Sequence, residues 1–332
     1  MTNWHAGPVD ESLPRSASQR FDPLRLRPDA SLNRTRIAGL RDADPKLVGC
    51  LAFHLLSLTA LEALQDADAP RVFSIRLAHL IASVVQPEPA SATTGPWRRA
   101  YLRHWSRVSH VWLAGGLAAR LGCPFLDALR AELTRLHSSC AVDIAPHPQV
   151  AALVGLARTP YRARTSGQVA VLDFGHSSIK RGIATIDNGR LARLAVLPAL
   201  SAPAVAELAP QAVLECVADL FTWSSRDLDA HVSISLASYM HGGRPADSHS
   251  VYSSLAAPAR AQLHTALRVR TGRPLQLRFV HDGTAAARAL PIPARGAVIV
   301  LGTALAVGFP PPVGSVLPLA DSFYVTSLNN VR

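Results

Sequence analysis

Lysine is almost missing from this 332-residue chain, which has only Lys46 and Lys180. Its other basic side chains are arginines, spread through an Ala- and Pro-rich background, and they bring the net charge to +11. No block of five basic residues occurs, and none is interleaved with aromatics as in RNA-binding segments. The charge therefore argues against a nucleic-acid partner. Cysteine is also sparse: Cys50, Cys123, Cys140 and Cys216 are far apart, with no CxxC. That pattern favours buried thiols in a reducing compartment over a disulfide framework. The opening MTNWHAGPVDES lacks a charged-then-apolar leader. The most apolar run, 47–61, is too short to span a bilayer and carries His54, Ser57 and Thr59. These absences lead to the expectation of a cytoplasmic protein away from membranes.

Nearly half the residues, 48%, are hydrophobic. A chain of this length can bury a large core and suggests two domains or lobes. Helices are expected at 47–67 and 72–85, then a Ser/Thr/Gly/Pro linker at 90–96 and an Arg- and aromatic-rich helix at 97–107. Trp105 reads as a packing residue. At 108–121, VSHVWLAGGLAARL, a short apolar strand runs through Gly115 and Gly116 directly into a helix. The two glycines leave bare backbone for a ligand to lie against, or they simply make a tight strand-to-helix turn. Pro124 suits a first helical position, and Leu126, Leu129, Leu133 and Leu136 form an apolar stripe. A brief strand follows at 142–144, then a helix of small residues at 150–157. A polar connector leads on to 167.

The most informative stretch is 168–198, QVAVLDFGHSSIKRGIATIDNGRLARLAVLP, read as three successive strands. Asn188-Gly189 between alternating apolar runs is a strong hairpin corner, because both residues tolerate positive φ. The first turn, DFGHSSIK (173–180), collects a carboxylate at a strand end, a glycine, two hydroxyls and one of the two lysines. Those groups suit a magnesium-bound polyphosphate, although a polar hairpin corner would use the same residues. Further on come a helix at 204–223, a strand at 231–239, a Gly/His/Ser-rich loop at 241–250 and a helix at 254–269. The strand 275–280 then feeds HDGT and a helix at 285–290. Asp282 at that strand's end can face a cleft or cap the helix. Last come an apolar strand at 297–301, the turn GTALAVG (302–308), able to cradle a second phosphate, and a Pro-rich hairpin-like tail.

Taken together, the turn DFGHSSIK, the segment VHDGTAAARA and the hairpin VIVLGTALAVGF resemble, in this order, the first phosphate motif, the catalytic-aspartate segment and the second phosphate motif of one superfamily. It is the ASKHA superfamily of sugar kinases, acetate kinase, actin and heat-shock chaperones, and the spacing is most similar to ROK and hexokinase-like kinases. The segment VWLAGGLAARLG, with the Leu-rich helix and VAALVGLAR, is similar to the adenosine motif and last connecting helix, which in the family come at the end. Here they come first. The resemblance thus implies an α/β, two-lobed actin-like ATPase (ribonuclease H-like) fold, circularly permuted. Residues 1–158 would form the nucleotide-side lobe, 167–290 the acceptor-side lobe, and 291–332 the second phosphate hairpin completing the former. The alternative is an unrelated helical domain at 1–158.

The resemblance also implies roles. Asp282 would be the catalytic base, and Asp173 would orient Mg²⁺ through water. Gly175, Ser177, Ser178, Lys180, Gly302 and Thr303 would bind phosphates, and Gly115 and Gly116 would face the adenosine. ATP and Mg²⁺ are the implied cofactors, a small-molecule hydroxyl, such as that of a sugar, the implied acceptor, and a homodimer is left open. The helices at 150–157 and after Asp282 would cross at the base of the cleft. There are departures. Ala304 and Ala306 stand where relatives usually have glycine, and His281 replaces a common asparagine. The ROK zinc-binding cysteines and Glu-x-Gly-His sugar motif are absent. An ATP-dependent kinase is the leading expectation, with a non-catalytic nucleotide-binding regulator of the same fold as the alternative.

Overall fold

A computed structural model describes residues 69–86, 105–160, 166–223, 228–238, 240–241, 244–245, 250–255, 257–290, 295–302, 305–309, 311 and 314–328. The expected helix at 47–67, the linker at 90–96 and most of the helix at 97–107 lie outside them, as do Cys50, Thr303 and Ala304. The described residues form two units. One draws on Val150–Pro291 and Pro311–Arg332, the other on Ser12–Gln149 and Ile292–Pro310. Both are mixed α/β, each around one main sheet. No helix among the described residues is long and apolar enough to cross a membrane.

The first unit is built on a six-stranded sheet of order β12-β5-β4-β3-β6-β9. Its strands are β3 (Gly167–Phe174), β4 (Ser178–Asp187), β5 (Arg190–Ser201), β6 (Leu228–Leu236), β9 (Gln276–His281) and β12 (Leu319–Ser327). A separate two-stranded ribbon pairs β7 (Met240–His241) with β8 (Arg244–Pro245). Strands β3, β4 and β5 form the antiparallel meander expected from their alternation, with Asn188 and Gly189 at positive φ (48° and 71°) in the second corner. Parallel to β3 and to each other run β6 and β9. These parallel steps need crossovers, supplied by α4 (Ala209–Trp223) and α5 (Ala257–Thr271).

Period-two alternation decides the faces. Ala170, Leu172 and Phe174 join Ile179, Ile183, Val232 and Ile234 in one apolar cluster with Val213, Val217 and Leu220 of α4 and Leu263 and Leu267 of α5. Asp173 therefore turns to the other face. There α3 (Ala151–Ala157) packs on β3 and also against α6 (Asp282–Arg288). Arg158, at the end of α3, donates from Nε to the Leu317 carbonyl (2.7 Å) and from Nη1 to that of Arg288 (2.8 Å).

The second unit holds a four-stranded sheet of order β11-β10-β1-β2. Its central strand β1 (His110–Ala114) lies parallel to both β10 (Gly296–Leu301) and β2 (Ala141–Ile144). Strand β11 (Leu305–Gly308) folds back antiparallel on β10. Helices α1 (Ala69–Val85) and α2 (Gly116–Arg135) pack together, with Phe73 stacked on Phe125 at 5.5 Å. Gly122 breaks α2 at φ 62°, and Pro124 opens the part beyond the break, where its missing N–H is harmless. Trp105 is fully buried, edge-on to Phe309.

Three expectations shift. The boundary falls before 150, because α3 packs on β3 of the first unit rather than ending the 1–158 block. The segment 291–332 is divided, since β10 and β11 build the second sheet while β12 extends the first, parallel to β5. The tail is thus a strand rather than a hairpin. Finally, Cys140 and Cys216 are buried as expected, but Cys123 is exposed at the break in α2.

Candidate active site

Register brings the central side chains of the first unit together. Asp173 on β3 is the direct partner of Lys180 on β4 and of Ser235 on β6. Residues opposite each other in a sheet share a face, so the three side chains stand in one row. The Lys180 ammonium donates to Asp173 Oδ2 at 3.0 Å, and the Ser235 hydroxyl donates to Oδ1 at 2.8 Å. The Asp173 side chain is 7% exposed, and a carboxylate buried to that degree requires hydrogen-bonding partners such as these two. Its negative charge in turn holds the Lys180 ammonium above the usual lysine range, against the opposing effect of burial, and the Asp282 carboxylate adds a smaller push in the same direction.

The parallel strands β3, β6 and β9 end in one row, Phe174–Leu236–His281. Asp282 is the next residue and the first of α6, while His281 holds the N-cap position. Asp282 is therefore not the helix cap. Its Oδ1 accepts from the Gly283 N–H (2.7 Å) and lies 3.2 Å from His281 Nε2. Burial first, and then the nearby charge of Asp173, push its carboxyl up to about 7. His176, the Gly283 N–H and Lys180 pull the other way. A carboxyl titrating near neutrality at the carboxyl end of a parallel sheet is suited to exchanging a proton with a bound group.

The turn between β3 and β4 is tight. Gly175 N–H donates to the Ser178 carbonyl at 3.0 Å, and a Cβ on Gly175 would sit 3.0 Å from that same oxygen. His176 and Ser177 at its tip are exposed. Tyr252, fully buried and edge-on to Phe174 at 6.0 Å, donates its hydroxyl to the Gly175 carbonyl. Burial raises its phenol, with Asp173 and Asp282 adding to the shift. Asp173, Gly175, Ser177, Ser178, Lys180 and Asp282, all singled out from the sequence, thus belong to one unit. Tyr252 was not. Tyr252 had no local signal, and Ser235 lay in HVSISLASY, where its partner is set only by sheet register.

In the second unit the glycine pair sits at the junction of β1 and α2. Gly115 adopts φ 95°, and a Cβ there would collide with the backbone of Leu301 in β10. Close packing between neighbouring strands is thus sufficient reason for this glycine. Gly116 differs: a Cβ on it would meet nothing within 4 Å. Gly302 follows β10 directly, at the corner leading to β11, where Ala306 is buried.

A magnesium nucleotide can be tested against these groups. Magnesium keeps most of its waters and needs only one or two carboxylates, so Asp173 can serve it through those waters. No cluster of three His, Cys, Asp or Glu able to hold a dehydrated metal occurs among the described residues. The glycine turn, the exposed Ser177 and the Lys180 ammonium fit phosphate oxygens.

Neither a protein-family model nor a curated protein sequence matches the chain. Among solved structures it is similar to the inorganic polyphosphate/ATP-glucomannokinase from Arthrobacter sp. strain KM. The identity is 24%, over 47% of this chain and 62% of that one, with a TM-score of 0.32. The match thus spans less than two thirds of that kinase.

Proposed function

We propose that the protein is an ATP-dependent phosphotransferase that phosphorylates a hydroxyl of a small metabolite, in the first instance a sugar. The observation that carries this reading is the row Lys180–Asp173–Ser235, with Asp282 titrating near neutrality at the same sheet end. ATP bound with Mg²⁺ would supply the transferable phosphoryl group. Asp282 would take the proton of the acceptor hydroxyl, and its elevated pKa makes it a competent base only at and above neutral pH. Asp173, held rigid by Lys180 and Ser235, would orient the metal's waters. Lys180, Ser177, Ser178 and the Gly175 backbone would hold phosphate oxygens. To Gly116, and with it Gly115, the reading assigns the adenosine; to Gly302 and Thr303, the stabilisation of developing charge. A cytoplasmic location accompanies it.

The circularly permuted actin-like fold belongs to the same proposal, and strand order supports it. The first sheet has a meander at one side of β3 and parallel strands at the other, as a ribonuclease H-like sheet requires. The second repeats the hairpin-plus-parallel pattern, with β10 and β11 beside β1 and β2. Its hairpin comes after its parallel strands in the chain, which is the order a permutation creates.

The test is a phosphotransfer screen of a metabolite panel with Mg-ATP, run on the protein and on Asp282→Ala. Transfer that collapses in the variant while nucleotide binding persists supports the reading; undiminished transfer overturns it. The alternative, a non-catalytic nucleotide-binding regulator, is favoured by Ala306, a buried side chain where the resembled motif has glycine. It predicts nucleotide binding with no transfer to any compound.

A further inference from the structure

Gln168 on β3, Thr185 on β4, Arg193 on β5 and Tyr324 on β12 are successive register partners, so their side chains stand in one row across the first sheet. Gln168 shares its face with Ala170, and the row therefore lies on the side opposite to Asp173. In the next row Ala170, Ile183 and Ala195 are buried. Here the cover ends: Gln168, Thr185 and Arg193 are half-buried, and Tyr324 is 50% exposed. The four line a cavity of about 560 Å³, within the ~300–1,000 Å³ of small-molecule sites. We propose that this cavity binds a neutral sugar, laid against the Tyr324 ring and hydrogen-bonded along the row. It is separate from the candidate active site. Gln168 stands at the start of β3 and Phe174 at its end, roughly 20 Å further on. The inference goes beyond the phosphotransferase reading and does not depend on it.

The polar groups of the cavity have bonding capacity to spare. The Thr185 hydroxyl oxygen is buried without a hydrogen-bond partner among the described residues. Such an orphan costs free energy until something satisfies it. Thr185 as a residue is only half-buried, so a χ1 rotation can turn the hydroxyl into the cavity. Arg181 and Arg190, on the same two central strands, are tied to Asp219 and Asp321. Arg193 has no such tie among the described residues, and its donor fork is open to a ligand. Asp187, also lining the cavity, accepts from the Ser166 hydroxyl through Oδ1 at 3.4 Å. Its second oxygen is left for a ligand. Ser322 adds a further exposed hydroxyl.

The mixture of groups selects the ligand. Arg193 only donates, ionised Asp187 only accepts, and the amide and hydroxyls do both. A sugar hydroxyl also does both, so a run of them can be matched by such a lining. The half-exposed Tyr324 ring supplies an apolar face for the C–H side of the sugar. An anion fits less well, because the charge of Asp187 offsets that of Arg193. An apolar ligand would find only Ile186 and Ala192. Cleavage of a glycosidic bond takes a pair of carboxyl groups, and Asp187 is the one carboxylate in the lining, so the site binds and does not hydrolyse. The sequence hid this row because its members come from four strands and meet only through register.

Fluorine NMR of the full chain carrying 3-fluorotyrosine tests the proposal site by site. The resonance lost in Tyr324→Phe belongs to this cavity, and the one lost in Tyr252→Phe to the candidate active site. Titration with glucose, mannose and maltose at millimolar concentration should shift the Tyr324 resonance with at least one of the three. Arg193→Gln and Asp187→Asn should each raise the midpoint of that shift about 10-fold, as the loss of a charge-assisted hydrogen bond implies. Thermal melts check both variants, and Asp187→Asn, at an exposed corner, decides the matter should Arg193→Gln fail to fold. No shift at Tyr324 with any of the three sugars would overturn the proposal. So would midpoints unchanged in the folded variants, or a shift produced by sodium phosphate or glycine in place of the sugars. A shift confined to Tyr252 would also overturn it, while supporting a sugar at the candidate active site; the two readings thus fail separately.

Discussion

Gly155 of α3 lies against the backbone of Ala285 in α6, so close that a Cβ on the glycine would overlap the Ala285 carbonyl oxygen. Both helices are made of small residues, AALVGLA and DGTAAAR, and their axes approach because nothing stands between them. Gly155→Val must therefore force the helices apart, in a region where every residue of α3 is buried. A loss of about 3 kcal/mol or more is expected, beyond ordinary overpacking, because the obstacle is backbone. Urea denaturation measures it; a loss under ~1 kcal/mol would mean that the crossing is looser than described.

Lys180 and Asp173 form the buried ion pair of the site, with side chains 28% and 7% exposed. Lys180→Met leaves Asp173 with Ser235 as its side-chain partner among the described residues, and a destabilisation of about 1–3 kcal/mol is expected, discounted for the partly exposed ammonium. Lys180 has its pKa raised in the fold. Its contribution is then fully present below the ordinary lysine range and lost as pH rises through the folded value. The gap between parent and variant in denaturation should stay constant from pH 6 to 9 and narrow at higher pH. A gap that already closes below pH 8 would show that the pair is not what stabilises this corner.

These two relationships were not equally legible in the sequence. The small-residue composition of 151–157 and of 282–288 pointed to close helix contact without a register. The DFGHSSIK turn between alternating runs pointed to a hairpin with its polar groups at one end, and the structure has that hairpin. Ser235 was illegible because parallel pairing between β3 and β6 is fixed by tertiary packing, 62 residues apart. Strand β12 was missed for a related reason. Its pairing with β5 spans well over a hundred residues, and the prolines before it suggest a tail. The glycine at 115 was noticed correctly, but its steric cause, Leu301, lies on a strand far away in sequence.

Asp282 gives a pH signature with a definite sign. Its folded pKa is about 7, raised from 3.8, so the native state holds this proton more tightly than the unfolded chain does. Stability therefore falls as pH rises from about 4 to 7, and each pKa unit corresponds to about 1.4 kcal/mol. Asp282→Asn removes the ionisation and should be more stable than the parent at pH 8, by on the order of 1–4 kcal/mol. The two should converge near pH 4. If the protein is the proposed kinase, kcat/KM of the parent should rise with pH through an apparent pKa near 7. A variant less stable than the parent at pH 8 would contradict the burial of a strained carboxylate.

Gly115 and Gly116 offer the cleanest separation of fold from function. Gly115→Ala puts a side chain at φ 95° and against Leu301, so it should destabilise the second unit by about 2–4 kcal/mol whatever the protein binds. Gly116→Ala meets open space at the first position of α2, and alanine favours helix by up to about 1 kcal/mol. That variant should be as stable as the parent or slightly more so. If adenosine lies on the bare backbone at 116, the added methyl should still weaken ATP binding, by roughly 5-fold or more for a cost of about 1 kcal/mol. Melting curves with and without Mg-ATP report both quantities in one experiment. Unchanged nucleotide stabilisation in Gly116→Ala would remove this position from the adenosine assignment, whereas its loss in a protein of undiminished stability can come only from the ligand.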